Sequence, residues 1–161
     1  DYRGTNPTQE NIAGGLTTLI EKSMGAVSKT GTTDFISALE FGMSPNAPGL
    51  HFMDTPFFSP VSLTGMMMAG CNLGLFAMGV FNPSGNPLCP IIKICGNPQT
   101  LRHWGDDIDV ELDGYFTGEL DRVGAQIAVL SKMNMVFNGS KTASEATGEG
   151  QFMLPRLKDA L

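Results

Sequence analysis

Charge is scarce in this chain: Asp, Glu, Lys and Arg together make up 16% of its 161 residues. So few ionised side chains predict either a face covered by a partner domain or subunit, or a compact α/β domain with a heavily buried parallel sheet. Positive charge is the scarcer sign, and a net charge of −6 excludes the Lys and Arg clusters that nucleic acid or an anionic membrane face demands. No run of about 18 apolar residues offers a membrane span. No charged segment followed by an apolar run opens the sequence, so no secretory leader and a cytoplasmic location are expected. Imidazole is limited to His51 and His103, and the three cysteines, Cys71, Cys89 and Cys95, lack the paired spacing of a zinc site. No self-contained transition-metal site is expected. The thiols suit a reducing compartment, and Cys71 reads as a small buried side chain.

What is present begins with the stretch from Asn6 to Gly25. Ile12, Leu16, Leu19, Ile20, Met24 and Val27 recur at helical spacing, predicting a helix from Thr8 or Glu10 to Ser28. Gly14-Gly15 sits early in it, and each Gly costs roughly 1 kcal/mol against Ala inside a helix. Such a pair is tolerated where a backbone or ligand must come close. Thr17, Thr18, Glu21, Lys22 and Ser23 surround it, which suggests a helix start turned toward something polar.

Further on, a short helix is expected over Asp34 to Phe41 and a strand over Leu50 to Asp54. Ser59-Pro60 marks a helix start, with Ser59 as N-cap, running to Gly70. Leu73 to Met78 reads as a strand apolar on both faces, and Ile91 to Cys95 as another. A short helix then leads to Trp104, and a strand is expected at Ile108 to Val110. A last helix spans Gly118 to Phe137, with Thr117 as N-cap and Leu120, Val123, Ile127, Leu130 and Phe137 as its buried stripe. Residues 140–161 read as a loosely held tail in which Phe152-Met153-Leu154 docks. The alternation predicts a single domain over 1–161: an α/β, three-layer Rossmann-like domain with a mostly parallel sheet of four or more strands and helices on both faces. Ligands in open sheets of this kind lie beyond the carboxyl ends of the strands. That rule points at the loops Asp54 to Ser59, Gly79 to Asn86 and Gly96 to Pro98.

The run Asn6-Pro7, Asn11, Gly14-Gly15-Leu16-Thr17-Thr18, Lys22-Ser23 and Gly25 resembles a signature of the altronate/galactarate dehydratase family, in its C-terminal region. Later blocks agree in order and spacing: Lys29-Thr30-Gly31-Thr32-Thr33, Asp54-Thr55-Pro56, Ser62-Leu63-Thr64, Ala69-Gly70-Cys71, Pro90 to Ile94 with Asn97, and His103-Trp104 before Asp107-Ile108-Asp109. The resemblance implies a lyase that removes water from an aldonic or aldaric acid, using a divalent metal, iron in the best-known members. It implies that the metal ligands lie in an upstream metal-bearing domain or subunit and that this domain alone is inactive. A homo-oligomer is a further expectation. Elimination of sulfite from sulfolactate by members of the same superfamily, or a non-catalytic assembly module, are the rival readings. Two departures bear on substrate: Gly79-Val80-Phe81 stands where the family commonly has Gly-Arg-Gly, and Glu10 replaces a common glycine.

Dehydration beside a carboxylate needs a base for the neighbouring proton, a positive group for the enediolate and an acid for the departing hydroxide. Lys22 and Asp54 are the catalytic candidates. Lys22 is otherwise a solvated lysine near a helix end, and Asp54 an Asx-turn closing the loop at Thr55-Pro56. Asn6, Thr17, Thr18, Ser23, Thr55, Ser62, Lys93 and Asn97 are the substrate-binding candidates, although hydroxyls such as Thr17, Thr18 and Ser23 equally cap or line a helix. Lys93 lies in an apolar strand, where an unpaired ammonium is expensive, so a carboxylate-binding or ion-pair role is expected. The acids Asp106, Asp107 and Asp109 read as a solvated turn, and no metal ligand is assigned.

Overall fold

A computed structural model describes residues 4–56 and 58–155. The chain divides into two compact units, one up to Ile36 and one from Ser37 onward.

The first unit contains two helices where one was expected, α1 (Gln9–Ala13) and α2 (Leu19–Ser28). Gly14-Gly15 breaks them apart. Gly15 has φ +106°, a left-handed conformation that side chains with a Cβ rarely adopt. Thr8 caps α1 in a reciprocal box with Asn11, and Thr18 caps α2 by accepting from the Glu21 N–H. The predicted helix at Asp34 to Phe41 is instead a strand, β1 (Phe35–Leu39). Eight residues are too few to separate the two periods, and Phe-Ile beside Thr32-Thr33 favours extended backbone.

In the second unit, β1, whose residues from Ser37 belong there, pairs with β2 (Leu50–Met53). A separate parallel sheet has the order β3 (Gly74–Met78), β4 (Ile91–Cys95), β5 (Val110–Glu111). The mixed α/β class holds, but the five described strands form a pair and a triple rather than one sheet of four or more. Phe76 lies opposite Lys93, and Ile94 opposite Val110. As the central strand, β4 is buried along nearly its whole length. As an edge, β3 is half-buried on alternate residues and exposed on the others, which corrects the expectation that both its faces are covered.

Helices cover both faces of the triple. On one, Leu63 and Met67 of α3 (Ser59–Met68) pack with Ile91, Cys89 and Phe76. On the other, Val136, Val129 and Met133 of α6 (Arg122–Phe137) pack with Ile92 and Val110. Phe58, not Ser59, is the N-cap of α3, with Pro60 in its first turn. The N-cap of α6 is Asp121 rather than Thr117, because Thr117 closes a separate short helix, α5 (Asp113–Thr117). The predicted stripe on α6 faces outward: Val123, Ile127, Leu130 and Phe137 are each more than half exposed. Helix α4 (Pro98–Trp104) follows β4 as expected. Beyond α6, the segment read as loosely held forms α7 (Ala143–Thr147), with a capping box at Thr142 and both Thr142 and Ser144 buried. The docking expected at Phe152 to Leu154 is made by backbone: the Met153 N–H donates to Thr64 Oγ1 at 3.2 Å, while the three side chains stay exposed.

Candidate functional site

The three loops singled out by the strand-end rule lie together in the second unit, stitched by side-chain amides and hydroxyls. Asn82 Nδ2 donates to Ser59 Oγ at 3.1 Å, joining the first loop to the second. Asn97 Nδ2 and Thr100 Oγ1 both donate to the Gly79 carbonyl, at 2.8 and 2.7 Å, joining the second to the third. Asn97 Oδ1 also caps α4 by accepting from the Gln99 N–H. The amide of Asn97 thus positions a loop.

Thr55 and Ser62, both substrate-binding candidates, meet with their hydroxyl oxygens 2.9 Å apart. Ser62 gives its proton to the Pro56 carbonyl at 3.1 Å, which leaves Thr55 as the donor between them. With Ser59, Leu63 and Phe76 they line a cleft of about 390 Å³. Asp54 is exposed at the end of β2, where its backbone N–H donates to the Leu39 carbonyl.

Lys93 lies at the centre of β4 and is 1% exposed. Its ammonium faces the Phe81 ring, 5.2 Å from the centroid, and makes no ion pair among the described residues. Phe81 in turn stacks flat on Trp104, with centroids 4.4 Å apart. Burial lowers the Lys93 pKa, opposed by the more distant charges of Asp107, Asp109 and Glu149. The side chain of Asp109, read from sequence as part of a solvated turn, is buried instead. Its Oδ2 accepts from the Lys93 backbone N–H at 2.8 Å. Its Oδ1 accepts from the Ala143 N–H at 2.9 Å and from Lys132 Nζ at 3.0 Å. Sequence reasoning missed Phe81, Trp104 and Lys132 as neighbours of this centre. Residues two apart on extended backbone share a face, so the Asp107-Ile108-Asp109 spacing ahead of β5 carries no signal that separates the buried Asp109 carboxylate from a solvated one.

In the first unit, Lys22 and Asn6 come together: Lys22 Nζ donates to Asn6 Oδ1 at 2.8 Å and to Asn11 Oδ1 at 3.0 Å. The other candidates there are occupied locally. Thr17 donates its N–H at 2.8 Å, and its hydroxyl, to Glu21 Oε2. The Thr17 hydroxyl is the main cause, and its N–H the second, of a lowered Glu21 pKa. Thr18 caps α2, and Ser23 donates to the Leu19 carbonyl at 2.9 Å.

Among the described residues, no three His, Cys, Asp or Glu side chains converge to hold a metal ion. The oxygens of Asp109 are already taken. Both nitrogens of His51 are engaged: Nε2 donates to the Ala47 carbonyl, so Nδ1 accepts from Ser37. His103 Nδ1 is within 2.8 Å of the Gln99 carbonyl. These residues do not fit the ligand set of a divalent iron site. Cys71, expected to be buried, is exposed, whereas Cys89 and Cys95 are buried. No described helix is long and apolar enough to cross a membrane.

Parallel strands with polar loops gathered at their carboxyl ends define an α/β domain of the open-sheet kind. The chain belongs to the family described as D-galactarate/Altronate dehydratase, C-terminal, which it matches over residues 1–159. It is 35% identical to a (2R)-sulfolactate sulfo-lyase subunit beta of Chromohalobacter salexigens, over 99% of this chain and 41% of that protein. It is 35% identical to an altronate dehydratase of Escherichia coli K12 over 63% of this chain and 21% of that protein. A galactarate dehydratase (L-threo-forming) of the same organism is 30% identical over 76% and 24%. The chain therefore spans less than half the length of each of these relatives.

Proposed function

We propose that this chain is the acid-binding part of a lyase that eliminates water from an aldonic or aldaric acid, giving a 2-keto-3-deoxy acid. One observation carries the reading: Lys93 is 1% exposed as a residue, and no carboxylate is paired with its ammonium among the described residues. Burying a charge without its counterion costs several kcal/mol. An acid arriving at Lys93 would supply that counterion. As the proton beside the carboxylate leaves, negative charge grows on the carboxylate oxygens, and a desolvated ammonium stabilises it more than water does. The Thr55, Ser59 and Ser62 hydroxyls line a cleft that reaches Phe76, the register partner of Lys93, and suit the hydroxyls of a polyol chain. Asp54 is the proposed proton acceptor at the same strand ends. Lys22, held by Asn6 and Asn11, is proposed separately as a carboxylate-binding or proton-moving ammonium of the first unit. The divalent metal, expected to be iron, would take its ligands from a metal-bearing domain or subunit beyond these residues.

A second reading is favoured by the 35% identity to a sulfolactate sulfo-lyase subunit across 99% of the chain. Here the same carboxylate site would serve proton removal with sulfite, rather than hydroxide, as leaving group. Both readings are tested by assaying the full-length protein anaerobically with ferrous iron against hexarates, hexonates and sulfolactate. Keto-acid release without sulfite supports dehydration, and sulfite release supports the second reading. Lys93→Met should raise KM by about tenfold or more, the loss expected for a charged hydrogen bond. An unchanged KM would remove Lys93 from the site.

A further inference from the structure

The ring of Phe81 lies against the Lys93 ammonium and takes up one of its faces. It is not a loose cover, because it lies flat on Trp104, with the planes inclined by 2°. Trp104 itself is 47% exposed, so one side of the stack meets water and the other meets the cation. The loop carrying Phe81 is anchored on either side, through the Gly79 carbonyl and the Asn82 side chain. The ring is thus placed while the ammonium, 5.2 Å from its centroid, keeps a partner that any acid has to displace.

We propose that Phe81, braced by Trp104, is the specificity-determining gate of the Lys93 site, admitting only acids that carry further polar groups beyond the carboxylate. This rests on Lys93 receiving the substrate carboxylate. A simple carboxylate gains only the ammonium and loses its cost to ring displacement. A hydroxy acid adds contacts along its chain, and that extra binding energy moves the ring. Phe81 acts through Lys93 and is a positioning residue, not one that takes part in proton transfer.

The ring has two opposed effects on the ammonium. It excludes water, which disfavours the charged form, and it offers a π-face, which favours it. The other groups facing Lys93 are Asp107 on the turn before β5, Asp109 beside that strand, and Glu149 after α7, and no Phe81 variant alters them. Phe81→Ala admits water, so the Lys93 pKa should rise. Phe81→Leu keeps water out but removes the π-face, so it should fall. Phe81→Tyr should match the parent. A merely structural role does not move the pKa in opposite directions with Ala and Leu.

The test measures amine labelling of Lys93 across pH by peptide mass spectrometry, in the full-length protein, with acetate or galactarate as protecting probes. The midpoint of each labelling curve reports the pKa. At a pH above that midpoint, where the amine is unprotonated in every variant, Phe81→Ala should label at least about tenfold faster than the parent, since ring contact no longer shields the amine. Trp104→Ala should shift in the same direction by less, providing a variant that leaves Phe81 in place. Acetate should protect Lys93 in Phe81→Ala at concentrations that fail in the parent, whereas galactarate should protect both. Equal labelling and equal acetate protection in parent and Phe81→Ala would overturn the gate alone. Faster labelling with no protection by either acid in any variant would overturn the gate together with the carboxylate role of Lys93.

Discussion

Lys93 and Asp109 are hydrogen-bonded without using the lysine's charge: Asp109 Oδ2 accepts from the Lys93 backbone N–H at 2.8 Å. The carboxylate anchors the strand and neutralises Lys132 at 3.0 Å. The ammonium of Lys93 is left facing an aromatic ring. An acid and a base in contact are therefore assigned to different tasks, one structural and one open to a ligand.

That division predicts that Lys93→Met costs no stability. Replacing a buried charge by an apolar side chain of similar length should raise the unfolding free energy by up to about 2 kcal/mol. The effect should depend on pH. The folded-state pKa of Lys93 lies below its ordinary value of 10.5. Between the two, the unfolded chain binds more protons than the folded one, so the parent gains stability as pH rises through that window. Urea unfolding of parent and variant should show their difference shrinking as pH approaches the ordinary lysine range.

Asp109→Ala should behave in the opposite way. It strands two backbone N–H groups and the Lys132 ammonium at once, and a loss of about 3 kcal/mol or more is expected. Lys132→Met should cost less, because Lys132 is 19% exposed and the Asp109 carboxylate, itself 1% exposed, keeps its two backbone donors. Hydrogen exchange of α7 should rise in Asp109→Ala, since the Ala143 N–H loses its acceptor.

Two glycines in one loop should respond differently to alanine. A Cβ on Gly85 would lie 2.1 Å from the Glu149 carbonyl oxygen and 2.8 Å from Ser144 Cβ, whereas one on Gly79 meets nothing within 4 Å. Gly85→Ala should destabilise by about 1–3 kcal/mol and expose residues 149–153 to limited proteolysis. Gly79→Ala should stay within about 0.5 kcal/mol of the parent.

In the first unit, Thr17→Val should raise the Glu21 pKa, because the hydroxyl is the largest cause of its depression. A carboxylate held below its unfolded value stabilises the fold above that unfolded value, and the contribution is lost as pH falls through the folded one. Carboxyl NMR titration should show the Glu21 midpoint moving up toward 4.5, with the acid-induced loosening of α2 beginning at higher pH.

The sequence disclosed most of the second unit where local chemistry was unambiguous. Pro98 after Asn97 fixed the start of α4, and a five-residue run apolar at every position but Lys93 fixed β4 as a strand. It misled where a segment is apolar on more than one side. Helix α6 has Val123, Ile127 and Leu130 along one face and Val129, Met133 and Val136 along another, and periodicity alone does not say which one docks. The choice is made by Lys132, which shares the second face and finds Asp109, a long-range pairing that no spacing rule contains. The three loops were legible through the strand-end rule. The Phe81–Trp104 stack was not, since residues 23 apart in sequence meet only once β4 and α4 are in place.

The hydroxyl of Thr64, 0% exposed, lies at a junction of three chain segments. It donates to the Pro60 carbonyl at 2.7 Å and accepts from Asn86 Nδ2 at 3.5 Å and from the Met153 N–H at 3.2 Å. Valine would reproduce its outline almost atom for atom and still silence every one of those exchanges. Position 64 therefore tolerates an alcohol and nothing else, and a single oxygen decides whether helix, loop and chain end keep one another's company.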